Sequence, residues 1–386
     1  MTYIKREIEN EIKTLAKEFP ILAILGPRQS GKTTLAKHLF PDYAYISLEN
    51  IDMREFADSD PRGFFDKYSE NIIIDEIQRV PTLFSYLQTH SDSQKKAGKF
   101  VITGSQNYLL LEKVSQSLAG RVGLVTLLPF SLNEIEKIHQ IKNPADIIFN
   151  GAYPRLYNQR IRPAVFYDSY VNTYLEKDVR QITNIKNFDI FRKFLVVIAG
   201  RSGQILNVSA IAAECGLSRS TIEEWLNILE ASFIIYRLRP FHKNYKKQVI
   251  KSPKIFFYDT GIVCSLLGIT SVEQTENHYL KGNIFETFII SELIKNNYNH
   301  AKLQKFFYWR DSKGREIDLI IEDNLDISGI EIKSSKTIAN SFFENLNYWS
   351  ALDKGKIKKY LVYSGEETYT RDSTKIINWQ KLKTIG

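Results

Sequence analysis

Cysteine is almost missing: the 386 residues contain two, Cys215 and Cys264. A disulfide framework and a cysteine-ligated zinc site are thereby excluded, and a reducing, cytoplasmic setting is expected. No apolar run approaches the ~20 residues that a membrane helix needs, so no membrane partner is expected. The first residues, Met1-Thr2-Tyr3-Ile4-Lys5-Arg6-Glu7, carry too much charge for a signal peptide. No long disordered tract interrupts the chain, and its 43% hydrophobic content is ample for globular folding. A chain of this length exceeds what one core supports and should divide into two or three domains. Acidic residues are outnumbered, leaving a net charge of +8. That excess permits a nucleic-acid partner without demanding one, because basicity says little until it is localised.

What is present begins with Gly26-Pro27-Arg28-Gln29-Ser30-Gly31-Lys32-Thr33, which fits the phosphate-binding pattern G-x-x-x-x-G-K-[ST] at every fixed position. The apolar run Ile21–Leu25 precedes it and reads as a strand buried on both faces. Residues 34–40 follow as the first turns of a helix. Strand, glycine loop and helix together aim backbone N–H groups and a helix N-terminus at one anion. Gly26 and Gly31 would supply unusual backbone angles, and Lys32 would reach the β/γ-phosphates. The Thr33 hydroxyl would hold Mg²⁺, and Thr34 closes the loop's binding set. A plain glycine turn would explain the glycines but not the Lys-Thr pair.

Residues 2–19 place Ile4, Ile8, Ile12, Leu15 and Phe19 at roughly helical spacing, which predicts an amphipathic lead-in helix. Apolar strands at 21–25, 43–48, 71–75, 99–103 and 122–128 then alternate with helical stretches, the pattern of a parallel sheet covered on both faces. The third strand ends in Asp75-Glu76, the Walker B pattern. Asp75 would orient Mg²⁺ through water, and Glu76 would polarise the attacking water. The fourth strand runs into Gly104-Ser105-Gln106, making Ser105 and Thr103 alternative sensors of the γ-phosphate. Arg121, after Ser117-Leu118-Ala119-Gly120, is either a finger reaching a neighbouring subunit's nucleotide or an ordinary salt-bridged residue.

These residues resemble the AAA+ superfamily of ATPases. The likeness is strongest to a prokaryotic branch that pairs GPRQSGKTT, IIIDEIQRVP, FVITGSQ and SLAGR with the GAYPR segment, Gly151–Arg155. It implies ATP and Mg²⁺ as cofactors, a central five-stranded sheet and often a ring-like homo-oligomer. It also implies that Gly151–Arg155 begins a small helical lid, with Arg155 as a second nucleotide sensor; an interdomain turn is the alternative. Tyr174-Leu175-Glu176-Lys177-Asp178-Val179-Arg180 recurs in that branch without a chemical role to assign.

Residues 164–198 read as helical, with Tyr167, Tyr170, Val171, Tyr174 and Leu175 on one face. Leu206–Thr221 reads as helix, turn at Gly216 and a second helix over 219–230, with Ser220 and Glu223 forming a capping box. A strand pair, 233–238 and 254–258, flanks the basic segment His242–Lys247 as a wing. A winged helix would set residues 219–225 in a DNA major groove. Glu223 and Glu224 on that surface would repel phosphate, so a structural or protein-docking role stands beside DNA contact.

In the C-terminal part, the helix from Lys281 carries Glu286 on the apolar stripe of Ile289, Ile290 and Leu293, where a carboxylate asks for a cation. Strands at 306–309, 315–321 and 329–333 follow. Asp318 should meet Glu331 and Lys333, which share one face, at a bend in the sheet. Asp318, Glu331 and Glu286 would ligate Mg²⁺ while Lys333 stabilises charge or positions water. The set resembles the PD-(D/E)-x-K restriction-endonuclease fold, although no Pro precedes Asp318. The expected class is α/β. A P-loop AAA+ domain would cover 1–150, a helical lid or linker 151–200, a winged helix-turn-helix 201–262 and a nuclease-like domain 263–386. Three functions fit: an ATP-driven enzyme acting on DNA, an ATP-dependent switch on a protein partner, and an ATP-controlled DNA-binding regulator.

Overall fold

The computed structural model describes residues 3–93, 96–105, 118–175, 188–241, 251–352 and 357–385. Two sheets organise the chain. The first is wholly parallel, with strands β1 (Ile21–Leu25), β2 (Ala44–Ser47), β3 (Ile72–Asp75), β4 (Phe100–Gly104) and β5 (Val122–Thr126) in the order β2-β3-β4-β1-β5. The strands lie within a residue or two of their expected spans. Every residue of β1 is buried because it has a strand on each side and a core on each face. Ile21, Ala23 and Leu25 enter one core with Ile72, Ile74, Phe100 and Ile102. Leu22 and Ile24 enter the other with Ile73, Val101, Leu35 and Ala36. Strand alternation thus sends one sequence into two cores. The lead-in helix is shorter than expected, Glu9–Glu18, and presses Ile12 onto the second core together with Ile8 just ahead of it.

Among the described residues the second sheet has nine strands: β6 (Gln204–Ile205), β7 (Ile235–Pro240), β8 (Lys254–Phe257), β9 (Lys305–Arg310), β10 (Glu316–Asp323), β11 (Asp326–Lys333), β12 (Lys358–Tyr363), β13 (Tyr369–Arg371) and β14 (Thr374–Asn378). Their order is β13-β14-β12-β11-β10-β9-β7-β8-β6. Strands β9, β10 and β11 are antiparallel to one another, whereas β11, β12 and β14 are mutually parallel and β7 runs parallel to β9. The strand pair expected to end a separate winged helix does not stop there. Arg239 and Pro240 of β7 pair with Phe307 and Tyr308 of β9, so the edge of one unit becomes the interior of the next. One hydrophobic core accordingly runs from Leu128 to Ile385. The Lys281–Asn299 helix packs across β8 and β11 and reaches back to β5.

The helix pair in the middle is present, as Val208–Cys215 and Arg219–Ala231, with Gly216 at φ +69° in the turn between them. Its cap differs from expectation. Ser218, not Ser220, is the N-cap: its Oγ accepts from Thr221 N at 3.1 Å, and Ser220 sits inside the first turn. The helix begins two residues earlier than a Ser220 cap allows, which buries Ile222, Trp225, Leu226, Ile228 and Leu229 and leaves Glu223 and Glu224 exposed. The helix Pro163–Tyr170 continues as a π-helical turn, Val171–Leu175, and a further helix spans Phe188–Ala199. Tyr167, Tyr170 and Val171 are buried as expected. Residues 176–180, Gln106, Ser117 and the basic segment 242–247 lie outside the described residues. No described helix is long and apolar enough to cross a membrane.

The cap assignment is testable. Ser218→Ala should cost about 1 kcal/mol, whereas Ser220→Ala should cost a few tenths at most, read from urea unfolding of the two variants side by side.

Candidate functional site

Strand β1 ends at Leu25 and the chain enters the phosphate loop with Gly26 at φ +147°. A Cβ at Gly26 would lie 2.1 Å from the Leu127 carbonyl oxygen, so only glycine fits. Gly31, at φ +97°, is the N-cap of the Lys32–Leu39 helix, which begins two residues before the helical stretch read from sequence. Gln29 also takes a left-handed angle, φ +62°. Lys32 is buried and its Nζ donates to the Gly26 and Pro27 carbonyls at 2.9 and 2.8 Å. The Arg28 carbonyl accepts from the Tyr170 hydroxyl at 3.5 Å. Ser30 Oγ and Gln29 Oε1 are buried with no hydrogen-bond partner among the described residues. A loop with orphaned polar atoms, one strained residue, Gln29, and a buried ammonium fits a phosphate group. Thr34 is exposed on the first helical turn.

The Asp75 carboxylate accepts from Thr33 Oγ1 at 3.1 Å, from the Tyr45 hydroxyl at 2.8 Å and from the Thr103 hydroxyl. Glu76 turns away in a left-handed conformation, φ +56°, and its Oε2 accepts from Ser105 Oγ at 2.9 Å and from Gln78 Nε2. The two sensor candidates therefore divide the work: Thr103 touches Asp75, and Ser105 touches Glu76. Tyr45 had no signal in the sequence. Burial, then its bond to Asp75, pushes its hydroxyl up to about 12, so it stays a donor.

Arg6 is the second residue that sequence reasoning passed over. It lay in a charged lead-in that reads as a solvated face. Yet it is 4% exposed, with Nη1 2.9 Å from the Ser30 carbonyl, Nη2 2.8 Å from the Leu128 carbonyl and Nε 3.0 Å from Glu134 Oε1. Arg155 lies exposed beside Pro154, whose Cγ would be 4.0 Å from a Cβ on Gly31; its Nε donates to Gln159 Oε1 at 2.8 Å. Arg121 is remote from the loop. Its carbonyl accepts from Ile21 N, at the opposite end of β1, and its guanidinium pairs with Asp92 at 2.6 Å.

The C-terminal residues come together at an irregularity. The β9/β10 register shifts between Ile317 and Ile320, and Asp318 sits at that bulge. Asp318 Oδ2 accepts from Ile332 N at 2.7 Å and lies 3.7 Å from Lys333 Nζ, which also pairs with Glu331 Oε1 at 2.5 Å. Glu331 Oε2 is buried without a hydrogen-bond partner among the described residues. Three further residues join that were not anticipated, Lys254, Glu316 and Arg310. Lys254 of β8 pairs with Glu286 at 2.9 Å and with Glu316 at 2.5 Å, and Arg310 reaches Glu316 at 3.2 Å. Burial raises the carboxyls of both Glu286 and Glu331 to about 8, with Lys254 and Lys333 respectively pulling them back and Asp318 pushing both up. Burial lowers Lys333, but Asp318 and Glu331 outweigh it and hold the ammonium above its ordinary value. Four carboxylates outnumber the three cations Lys254, Arg310 and Lys333, and with Glu331 Oε2 orphaned the set fits a divalent cation.

Residues 18–136 match the family model described as an AAA domain. This segment is similar to AAA-type P-loop domains. Residues 141–273 and 281–382 match two families, each described as a domain of unknown function, DUF8612 and DUF4143. The chain is 28% identical over 380 residues to the uncharacterized protein Rv2008c of Mycobacterium tuberculosis, covering 96% of this chain and 82% of that one. An uncharacterized Haemophilus influenzae protein is 22% identical over 315 residues, covering 72% of this chain and 75% of that one. Among solved structures, the Walker-type ATPase PABY2304 of Pyrococcus abyssi is similar at 13% identity and a TM-score of 0.45, covering 68% of this chain and 96% of that one. A Thermotoga maritima RuvB variant is similar at 19% identity and a TM-score of 0.34, covering 60% and 88%.

Arg6 bears directly on the AAA domain's integrity. Arg6→Ala would leave Glu134, fully buried, without its counter-charge and release the Ser30 carbonyl. The expected loss is about 3–5 kcal/mol in chemical denaturation.

Proposed function

We propose that the chain hydrolyses ATP in its AAA domain and acts on nucleic acid through a divalent-metal phosphodiesterase centre in its C-terminal domain. The observation that supports the first half is the separate holding of the two carboxylates, Asp75 by Thr33, Tyr45 and Thr103, and Glu76 by Ser105 and Gln78. Lys32 would exchange the Gly26 and Pro27 carbonyls for the β/γ-phosphates. Mg²⁺, with Thr33 and Asp75 to hold it, supplies neutralisation of phosphate charge. Glu76 takes the proton of the attacking water, and Ser105 and Gln78 aim its carboxylate. Arg155 stands one residue from the loop as a sensor of the nucleotide. Arg121 serves a nucleotide only in a neighbouring copy of the chain, after release from Asp92, which calls for a homo-oligomer.

In the second half, Asp318, Glu331 and Glu286 would hold one or two metal ions, which would supply water activation and phosphate polarisation. Lys333 holds charge at the scissile phosphate. The gathering of Asp318, Glu331 and Lys333 at the β10 bulge supports this reading. A second reading makes the C-terminal domain a binding platform and the ATPase a switch on a protein partner. It is favoured by Glu223 and Glu224, exposed on the surface a winged helix would offer to DNA. The same two carboxylates weigh against a DNA-binding regulator.

Glu76→Gln should retain ATP and lower turnover by at least about 100-fold in a phosphate-release assay; unchanged turnover would remove Glu76 as base. Asp318→Ala should abolish Mg²⁺- or Mn²⁺-dependent nicking of DNA while ATP turnover holds, because the two sites lie on separate sheets and share no residue. Stimulation of ATP turnover by DNA separates the two readings: its presence supports action on nucleic acid, and its absence together with no cleavage leaves the protein switch.

A further inference from the structure

Within the C-terminal cluster, Glu286, Glu316 and Asp318 each offer an oxygen, and these lie within 4.8 Å of one another. Three carboxylates so close ordinarily invite a metal ion. Here the chain brings its own cation. Lys254 is 3% exposed, with Nζ 2.9 Å from Glu286 and 2.5 Å from Glu316. Its backbone is fixed between two strands, paired with Leu238 of β7 on one side and Ile205 of β6 on the other. The second oxygen of Glu316 is taken by Arg310 at 3.2 Å. Both oxygens of Glu316 therefore face nitrogen cations.

The side of the cluster towards β11 differs. Glu331 Oε2 is buried and lacks a partner among the described residues, and Lys333, which could otherwise fill the gap, is spent on Glu331 Oε1 and Asp318 Oδ2. We propose that Lys254 is the resident cation of the Glu286–Glu316 half of the cluster, standing in for a second divalent ion, so that one metal position remains, between Asp318 and Glu331. The inference rests on the metal-dependent reading of this site given above. It also makes the site composite. Lys254 belongs to residues 141–273, whereas the carboxylates belong to residues 281–382, matched by a different family. The β7–β9 pairing that fuses the two segments into one sheet is what delivers the ammonium. A lysine is a compact point charge with three donors, suited to two carboxylates but unable to activate water as a metal does.

The test is Mn²⁺ binding to the nucleotide-free full chain, followed by calorimetry and electron paramagnetic resonance. All proteins carry Thr33→Val so that the AAA domain contributes no ion. The reference chain should bind one Mn²⁺, Lys254→Met two, and Lys254→Arg one. Glu316→Gln, in which Lys254 is retained, should leave Mn²⁺ affinity within about threefold, because Glu316 serves the lysine and not the metal. Two ions in the reference chain, or a tenfold loss of affinity in Glu316→Gln, would overturn the proposal. One ion in both the reference and a folded Lys254→Met chain overturns it too, while leaving the metal reading intact. If the reference binds none and Lys254→Met binds one, Lys254 is the resident cation and the metal reading fails. If neither binds, both fall. Should Lys254→Met not fold, Glu316→Gln decides alone.

Discussion

The arrangement of the whole chain depends on one buried guanidinium. Arg6 bonds the phosphate loop at Ser30, the segment after β5 at Leu128, and the carboxylate of Glu134, which is itself closed off from water. A charge so deep is tolerable because each of its three nitrogens meets an acceptor. Removing one of the three partners would leave a buried donor of Arg6 without that acceptor. The phosphate loop is thus held from outside its own strand and helix, by a residue near the start of the chain.

The same segment carries the contact to the second sheet. Leu132 N donates to Glu292 at 2.6 Å, and the Phe130 carbonyl accepts from Lys295 at 3.0 Å. Glu292 and Lys295 pair with each other at 2.7 Å and lie on the Lys281–Asn299 helix, under three turns beyond Glu286. The helix that contributes a carboxylate to the C-terminal cluster is therefore the one clamped against the AAA domain. Within each sheet the reactive residues sit where geometry departs from regularity. In the first they lie at the carboxyl ends of parallel strands, where glycine and left-handed residues turn the chain. In the second they lie at a bulge in an antiparallel pair.

Much of this was legible beforehand. Five strands of the first sheet, the phosphate loop, Asp75-Glu76 and the convergence of Asp318, Glu331 and Lys333 all follow from local pattern, because short apolar runs and glycine spacing constrain backbone over a few residues. The contacts of Thr103 and Ser105 were open until their neighbours were known: at the end of β4 one meets Asp75 and the other Glu76. Ser218 outcompeted Ser220 as a cap because burial of Ile222 and Trp225 sets the helix phase, which a capping pattern alone does not see. Arg6, Tyr45 and Lys254 left no trace: a charged or aromatic residue is unremarkable in sequence, and its meaning lies in partners far along the chain.

The sequence by itself determined the α/β class, the parallel P-loop sheet and the chemical types gathered at both sites, because those are properties of contiguous residues. Only the tertiary structure decided that β7 pairs with β9, so that the middle and C-terminal segments share one sheet and one core. It alone decided which charges are buried and against what. The physical reason is the same in each case. Burying a charge, or satisfying a strand edge, is a contest between distant groups, and its outcome is settled by which of them the fold brings within a few ångströms.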